Sequence, residues 1–216
     1  MSFKGCGPHS GGPGDVYLTP PWCVDRLLEA WVPASAIADG CSTCLEPCVG
    51  TGNIVRAFNR QYQKARWNVF DIDLAPSKLR EACSGIKDMW HGDFICEEGD
   101  AGPSYYDLTD HVGLVLTNPP FTLAQQFIRH ARHWCPNADL MFLLRLGFLA
   151  AEKRAKFYAE MGTPDIYVLP NRPSFTGDGR TDGADYAWFH WKAHEHNKIG
   201  RLRILRLTPA EERNAQ

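Results

Sequence analysis

Cys44-Leu45-Glu46-Pro47-Cys48-Val49-Gly50-Thr51-Gly52-Asn53 joins a short apolar strand to a helical pattern over residues 54–59. In a doubly wound α/β sheet, the first turn from strand to helix stands at the carboxyl ends of the strands, where such sheets bind ligands. Gly50 and Gly52 let the backbone come close to a bound molecule. The acidic Glu46 at the strand end suits a cationic cofactor and repels a pyrophosphate. The turn also lacks the Gly-x-x-Gly continuation of a dinucleotide fingerprint, which disfavours a nucleotide-dependent oxidoreductase.

Outward from this turn, residues 67–71 read as a second strand ending at Asp71, and the apolar run Val112–Thr117 as another that ends in Asn118-Pro119-Pro120-Phe121. That ending matches the chemistry of methylating a planar amino nitrogen. The lone pair of an adenine, cytosine or glutamine amino group is delocalised, so the nitrogen is a poor nucleophile. The Asn118 carbonyl and a backbone carbonyl of the proline pair can accept its two N–H bonds and favour a tetrahedral nitrogen. Phe121 offers a flat face for a flipped base. Further on, 139–146 reads as a buried fifth strand, and 165–169 with 186–191 as an antiparallel pair closing the sheet. Between the members of that pair lies a polar, glycine-rich loop, 170–183.

Taken in order, Tyr17-Leu18-Thr19-Pro20-Pro21, residues 46–53, Phe70-Asp71-Ile72-Asp73, Gly92-Asp93-Phe94 and residues 118–121 resemble the S-adenosylmethionine-dependent amino-methyltransferases. More narrowly they resemble the small phage-type DNA N6-adenine methyltransferases, over residues 15–192. The resemblance implies a Rossmann-like class I α/β fold with a mostly parallel seven-stranded sheet and an antiparallel last strand. It also implies S-adenosyl-L-methionine as cofactor, with S-adenosyl-L-homocysteine as product. Tyr17, Thr19 and Pro20 would fold over the methionine part of the cofactor, and Glu46, Pro47, Gly50, Gly52 and Asn53 would surround its amino acid moiety. Asp71 would take the ribose hydroxyls, with Asp73 as the alternative unless it caps a helix beginning at Pro76. Asp93 would sit by the cofactor's adenine amino group and Phe94 against its ring. Asn118, Pro119, Pro120 and Phe121 would form the catalytic motif, with Asn118 also next to the cofactor. Arg172 and Phe175, in the implied target loop 171–185, are the expected substrate contacts together with Phe121.

The 216 residues, 44% hydrophobic and 22% charged, suit one methyltransferase domain over 15–207, between a flexible amino-terminal segment 1–14 and a polar tail, 208–216, that frays. No apolar stretch approaches a bilayer span, so no membrane partner and a cytoplasmic location are expected. With 23 Lys and Arg against 25 Asp and Glu, the net charge of −2 excludes a globally basic protein, and any DNA-binding face must be local. Candidates are Arg129, Arg132, Arg145, Arg172 and Arg180. The run 198–206, which alternates apolar and basic residues, reads rather as an exposed edge strand whose charges blunt aggregation. Eight cysteines include Cys41, Cys44 and Cys48, but no second cysteine pair or spaced histidine pair answers them. No metal is expected, and the thiols read as reduced. The histidines, His130, His133 and His190 among them, fit no ligand or general-base constellation. DNA is the expected substrate, with RNA adenine or protein glutamine as alternatives on the same chemistry, and an inactive binding module as the non-enzymatic one. Short or relaxed site recognition follows from the little chain left outside the core. The sequence specifies no oligomeric state.

Overall fold

Thr43–Glu46 forms a strand, β1, buried at every position, because neighbours cover it on both edges and helices on both faces. The computed structural model describes residues 18–71, 86–91, 94–95, 111–176, 180–181, 183–193 and 200–214. Before β1 come helix α1 (Pro21–Ala30) and a single turn, α2 (Ser35–Ala38). After it follow α3 (Asn53–Gln61), β2 (Arg66–Asp71), β3 (Ile86–His91), β4 (Val112–Thr117), α4 (Ala124–Trp134) and β5 (Asp139–Arg145). Helix α5 (Ala155–Met161), β6 (Asp165–Leu169), β7 (Tyr186–Trp191), β8 (Leu202–Ile204) and α6 (Ala210–Asn214) complete the order.

The sheet order is β3-β2-β1-β4-β5-β7-β6-β8. Pairings among β1 to β5 are parallel, β7 runs antiparallel to both β5 and β6, and β8 lies parallel to β6. The sheet therefore has one strand more than the seven expected. The addition is the three-residue β8, exposed throughout at the edge where the 198–206 run predicts an edge strand. Sheet order reverses beside β1, with β2 and β3 on one side and β4 and β5 on the other. The carboxyl ends of β1 and β4 thus border the crevice in which doubly wound sheets bind ligands.

Each face of the sheet is covered, as a mostly parallel sheet requires. On one side α1 (Trp22, Val24, Leu27), α2 (Ile37) and α3 (Ile54, Val55, Ala57, Phe58) pack on Leu114, Leu116, Met141, Leu143 and Trp188. On the other, α4 (Ala124, Phe127, Ile128, Ala131) and α5 (Phe157) pack on Val115, Leu140, Phe142, Leu144 and Phe189. The three-and-four spacing of the buried residues in α3 and α4 is the apolar stripe of an amphipathic helix. No helix among the described residues is long and apolar enough to cross a membrane.

The tail departs from a frayed end. Thr208 is buried, its N–H donates to Asn171 Oδ1 at 2.7 Å, and Glu212 of α6 pairs with Arg26 and Arg206. Arg26 is only 4% exposed on α1, and a buried guanidinium demands carboxylates, supplied by Glu29 and by the distant Glu212.

Candidate functional site

The turn after β1 is shaped by two left-handed glycines, Gly50 at φ 48° and Gly52 at φ 81°. The Gly52 N–H donates to the Val49 carbonyl at 2.7 Å, and the Val49 N–H donates to the Phe70 carbonyl at 3.2 Å, which fastens the turn to the end of β2. A Cβ added at Gly50 meets nothing within 4 Å, so this stretch of backbone faces open space. Glu46 is fully buried at the base of the turn, and its Oε1 accepts the Cys48 N–H at 3.1 Å. Asp71, the last residue of β2, lies opposite His91 of β3 in the register.

Beyond β4, the Asn-Pro peptide restricts the chain to extended conformations and Pro120 stops the ladder. The Pro120 carbonyl is taken by the Leu123 N–H at 2.9 Å, whereas the Pro119 carbonyl meets no donor among the described residues. The Asn118 amide nitrogen donates to Thr19 Oγ1 at 3.0 Å. Its Oδ1 is buried and has no partner among the described residues.

Thr19 connects the two motifs. Its carbonyl accepts from Asn53 Nδ2 at 3.0 Å while its hydroxyl meets Asn118. Asn53 further accepts from the Thr51 hydroxyl and from Arg56. Asn53 therefore clamps the segment around Thr19 onto the glycine turn. Pro20, also buried, caps α1 through its carbonyl and the Cys23 N–H at 3.0 Å. The Leu18 N–H donates to the Phe175 carbonyl at 3.0 Å, so the same segment reaches the 171–185 loop at Phe175.

An aromatic cluster closes this side. Phe175 is buried rather than at a loop tip, with its ring 4.9 Å from Tyr186 and 6.3 Å from Phe121, and Phe121 lies 5.5 Å from Tyr186. Arg145, the exposed last residue of β5, sets its guanidinium 4.7 Å over the Phe121 ring and donates from Nε to the Tyr186 hydroxyl at 3.1 Å. Arg172 is exposed and pairs with Asp185 at 2.8 Å.

The structure thus brings together Thr19, Pro20, Glu46, Pro47, Gly50, Gly52, Asn53, Asn118, Pro119, Pro120, Phe121 and Phe175 along the carboxyl edge. Tyr17, Asp73 and Asp93 lie outside the described residues. Phe94 is placed differently from an open platform for a ligand ring. It is 2% exposed, edge-on to Phe70 at 5.3 Å and His130 at 4.9 Å, and stacked on Phe127 of α4 at 5.8 Å. Arg129 and Arg132 are committed elsewhere. Arg129 pairs with Glu160 at 2.8 Å over the Phe157 ring, and Arg132 donates to the carbonyls of Pro136, Ala138, Trp191 and Lys192. Sequence reading gave no site role to Tyr186 and counted Arg145 only as a DNA-backbone candidate. The available signal was a single charge closing the apolar run 140–146. Burial pushes the Cys44 thiol well above its usual value and the Cys135 thiol up to about 12, so neither is a thiolate nucleophile near neutrality. No group of three or more metal-ligating side chains assembles among the described residues.

No family model and no curated protein matches the chain. Solved structures do. A Listeria monocytogenes protein assigned as a class I S-adenosylmethionine-dependent methyltransferase aligns at 16% identity and a TM-score of 0.57, over 88% of this chain and 64% of that one. The chain has the class I methyltransferase fold. An Agrobacterium tumefaciens protein assigned as an O-methyltransferase aligns at 18% identity and a TM-score of 0.52, over 83% of each chain. A Vibrio vulnificus protein assigned as a modification subunit of a type I restriction enzyme aligns at 17% identity and a TM-score of 0.57, over 89% of this chain and 46% of that subunit. The chain therefore spans less than two thirds of the Listeria and Vibrio proteins. Fold alone leaves the substrate open.

Proposed function

We propose that this protein is an S-adenosylmethionine-dependent methyltransferase acting on the N6 amine of adenine in DNA, with base flipping and short or relaxed site recognition. The observation that carries the reading is Asn118 Oδ1, a buried acceptor without a partner among the described residues, held at the β4 end of the crevice by the amide's bond to Thr19. A buried carbonyl left unsatisfied costs about 1–3 kcal/mol, so such an atom at the mouth of the crevice calls for a donor from a ligand or a water. A planar amine brings two donors, and the second acceptor is the Pro119 carbonyl.

The residues present fit the cofactor. Glu46 is a buried carboxylate suited to its ammonium group, Gly50 supplies backbone that faces open space, and Asp71, the residue type a diol calls for, is the last residue of β2. S-adenosylmethionine, when bound, supplies a methyl group already activated on a sulfonium. The chain's own work is alignment and polarisation. Asn118 Oδ1 and the Pro119 carbonyl draw on the two N–H bonds of the amine, and Phe121 stacks the extruded base. Both acceptors are neutral, so the proton of the methylated amine passes to water rather than to either of them.

The test is transfer of radiolabelled methyl groups onto unmethylated DNA, RNA and protein extract, with mass spectrometry of the product. N6-methyladenine in DNA is expected. Label confined to RNA or to glutamine would retain the chemistry and replace the substrate. Absence of transfer with intact cofactor binding would favour a binding module.

A further inference from the structure

We infer that the turn after β5 is the part of this protein that enters the DNA stack: Leu149 wedges into the gap that the flipped adenine leaves, while Lys153 and Lys156 hold the flanking phosphates. This rests on the reading of the site as one that takes its base out of a duplex. The turn stands beside that site. β4 and β5 run parallel with Thr117 opposite Phe142, and Arg145, three residues further on, sets its guanidinium over the Phe121 ring. The next four residues, Leu146–Leu149, form a single 3₁₀ turn, which at about 2 Å of rise per residue carries the chain about 8 Å beyond the end of β5.

The turn has an apolar surface and a fixed backbone. Leu149 is 40% exposed, and Gly147, Ala150 and Ala151 around it are exposed as well. A lone exposed leucine is ordinary on any protein surface, but this one tops a turn that is braced from beneath. Phe148 points inward, edge-on to Phe157 at 5.6 Å and to Phe189 at 5.7 Å. Arg154 lies over the Phe148 ring at 4.6 Å and donates from Nη1 to the carbonyls of Gly147, Phe148 and Ala150, while the Tyr158 hydroxyl donates to the Phe148 carbonyl at 3.0 Å. The Leu146 N–H is tied to the Asp185 carbonyl at 2.8 Å. A turn held in this way presents Leu149 without drawing on binding energy to order it. From 146 to 159 the chain carries Lys153, Arg154 and Lys156 against one carboxylate, Glu152. Arg154 serves the turn, whereas Lys153 and Lys156 are exposed and form no ion pair among the described residues. A rigid apolar tip between cations is what insertion into a base stack requires, since the leucine fills the step and the cations neutralise phosphates beside it.

The test uses the full chain and a duplex carrying 2-aminopurine, which brightens when unstacked, at the adenine position that the methylated product defines. Wild type and Leu149→Met should both brighten it on binding. Leu149→Ala removes three carbons, each worth about fourfold in an equilibrium when buried, so it should cut the brightening and lower kcat/KM on the duplex about tenfold or more. Its Tm should stay at the wild-type value, because the side chain is exposed, and it should methylate a single strand of the same sequence as wild type does, because a single strand has no duplex stack to fill. Lys153→Ala and Lys156→Ala should each lower the slope of log affinity against log salt by about 0.9. Equal brightening and equal duplex kcat/KM in wild type and Leu149→Ala, or equal losses on duplex and single strand, would overturn the wedge, as would a wild type that methylates single strands alone. In each of those cases N6-methyladenine in the product keeps the reading of the site, whereas a wild type that methylates no adenine in DNA removes that reading and the wedge together.

Discussion

Replacing Asn118 with Ala should separate catalysis from stability. The side chain contributes one hydrogen bond, from its amide to Thr19 Oγ1 at 3.0 Å, and carries one buried oxygen with no partner among the described residues. Losing the bond costs about 0.5–1.5 kcal/mol, while removing a desolvated, unsatisfied carbonyl relieves about 1–3 kcal/mol. The variant should therefore melt at the wild-type temperature or slightly above it. Removing one preorganised polar group that polarises the reacting atoms costs about 10²–10³ in kcat, or about 2.7–4 kcal/mol. Cofactor affinity should hold, because the glycine turn and Glu46 stay in place. The assay combines a melting curve, calorimetry with S-adenosylmethionine and single-turnover methyl transfer. A kcat within a few-fold of wild type, or a loss of cofactor affinity parallel to the loss of turnover, would refute the role of Asn118 as the target-amine acceptor.

Gly50→Ala forces a side chain into the left-handed region at φ 48°, where an L-residue costs about 1–2 kcal/mol, and sends a Cβ into open space beside the turn. Cofactor affinity by calorimetry should fall by more than stability does, and an unaltered Kd would remove the turn from the binding surface. Asp71→Ala should weaken the cofactor and largely spare kcat at saturation; unchanged affinity moves the ribose role to Asp73. Burial by itself raises the Asp139 carboxyl, but the His190 contact at 3.4 Å, the Ala193 N–H and Arg132 outweigh it and hold it below the usual range. A depressed carboxylate stabilises the fold above its unfolded pKa of about 4, and that contribution is lost as pH falls through the folded value. Urea midpoints at pH 6 and pH 3 should therefore differ less in Asp139→Asn than in wild type, and equal differences would exclude Asp139 as a source of acid sensitivity.

Much of the fold was legible because its signals are local. Buried runs such as 112–117 and 139–146 have no polar face, as strands covered on both sides must, and the glycine turn and the proline pair announce where β1 and β4 end. The eighth strand was legible as an exposed edge in the alternation of apolar and basic residues over 198–206, but that short run did not announce that it joins the same sheet. In the site, the Glu46 turn and residues 118–121 were readable because each depends on residue types at adjacent positions.

Sequence by itself determined the strand-turn-helix grammar, the two chemical motifs and the absence of a global positive charge, because propensity, backbone restriction and composition belong to short stretches of chain. Only the tertiary structure decided that Thr19 meets both Asn53 and, 99 residues away, Asn118, that Arg145, Phe175 and Tyr186 gather on Phe121, and that Arg129, Arg132 and Glu212 serve the fold. Those contacts arise from strand order, which places β5 and β7 beside β4, and from the need of buried charges and amides to find partners wherever the packed chain brings them.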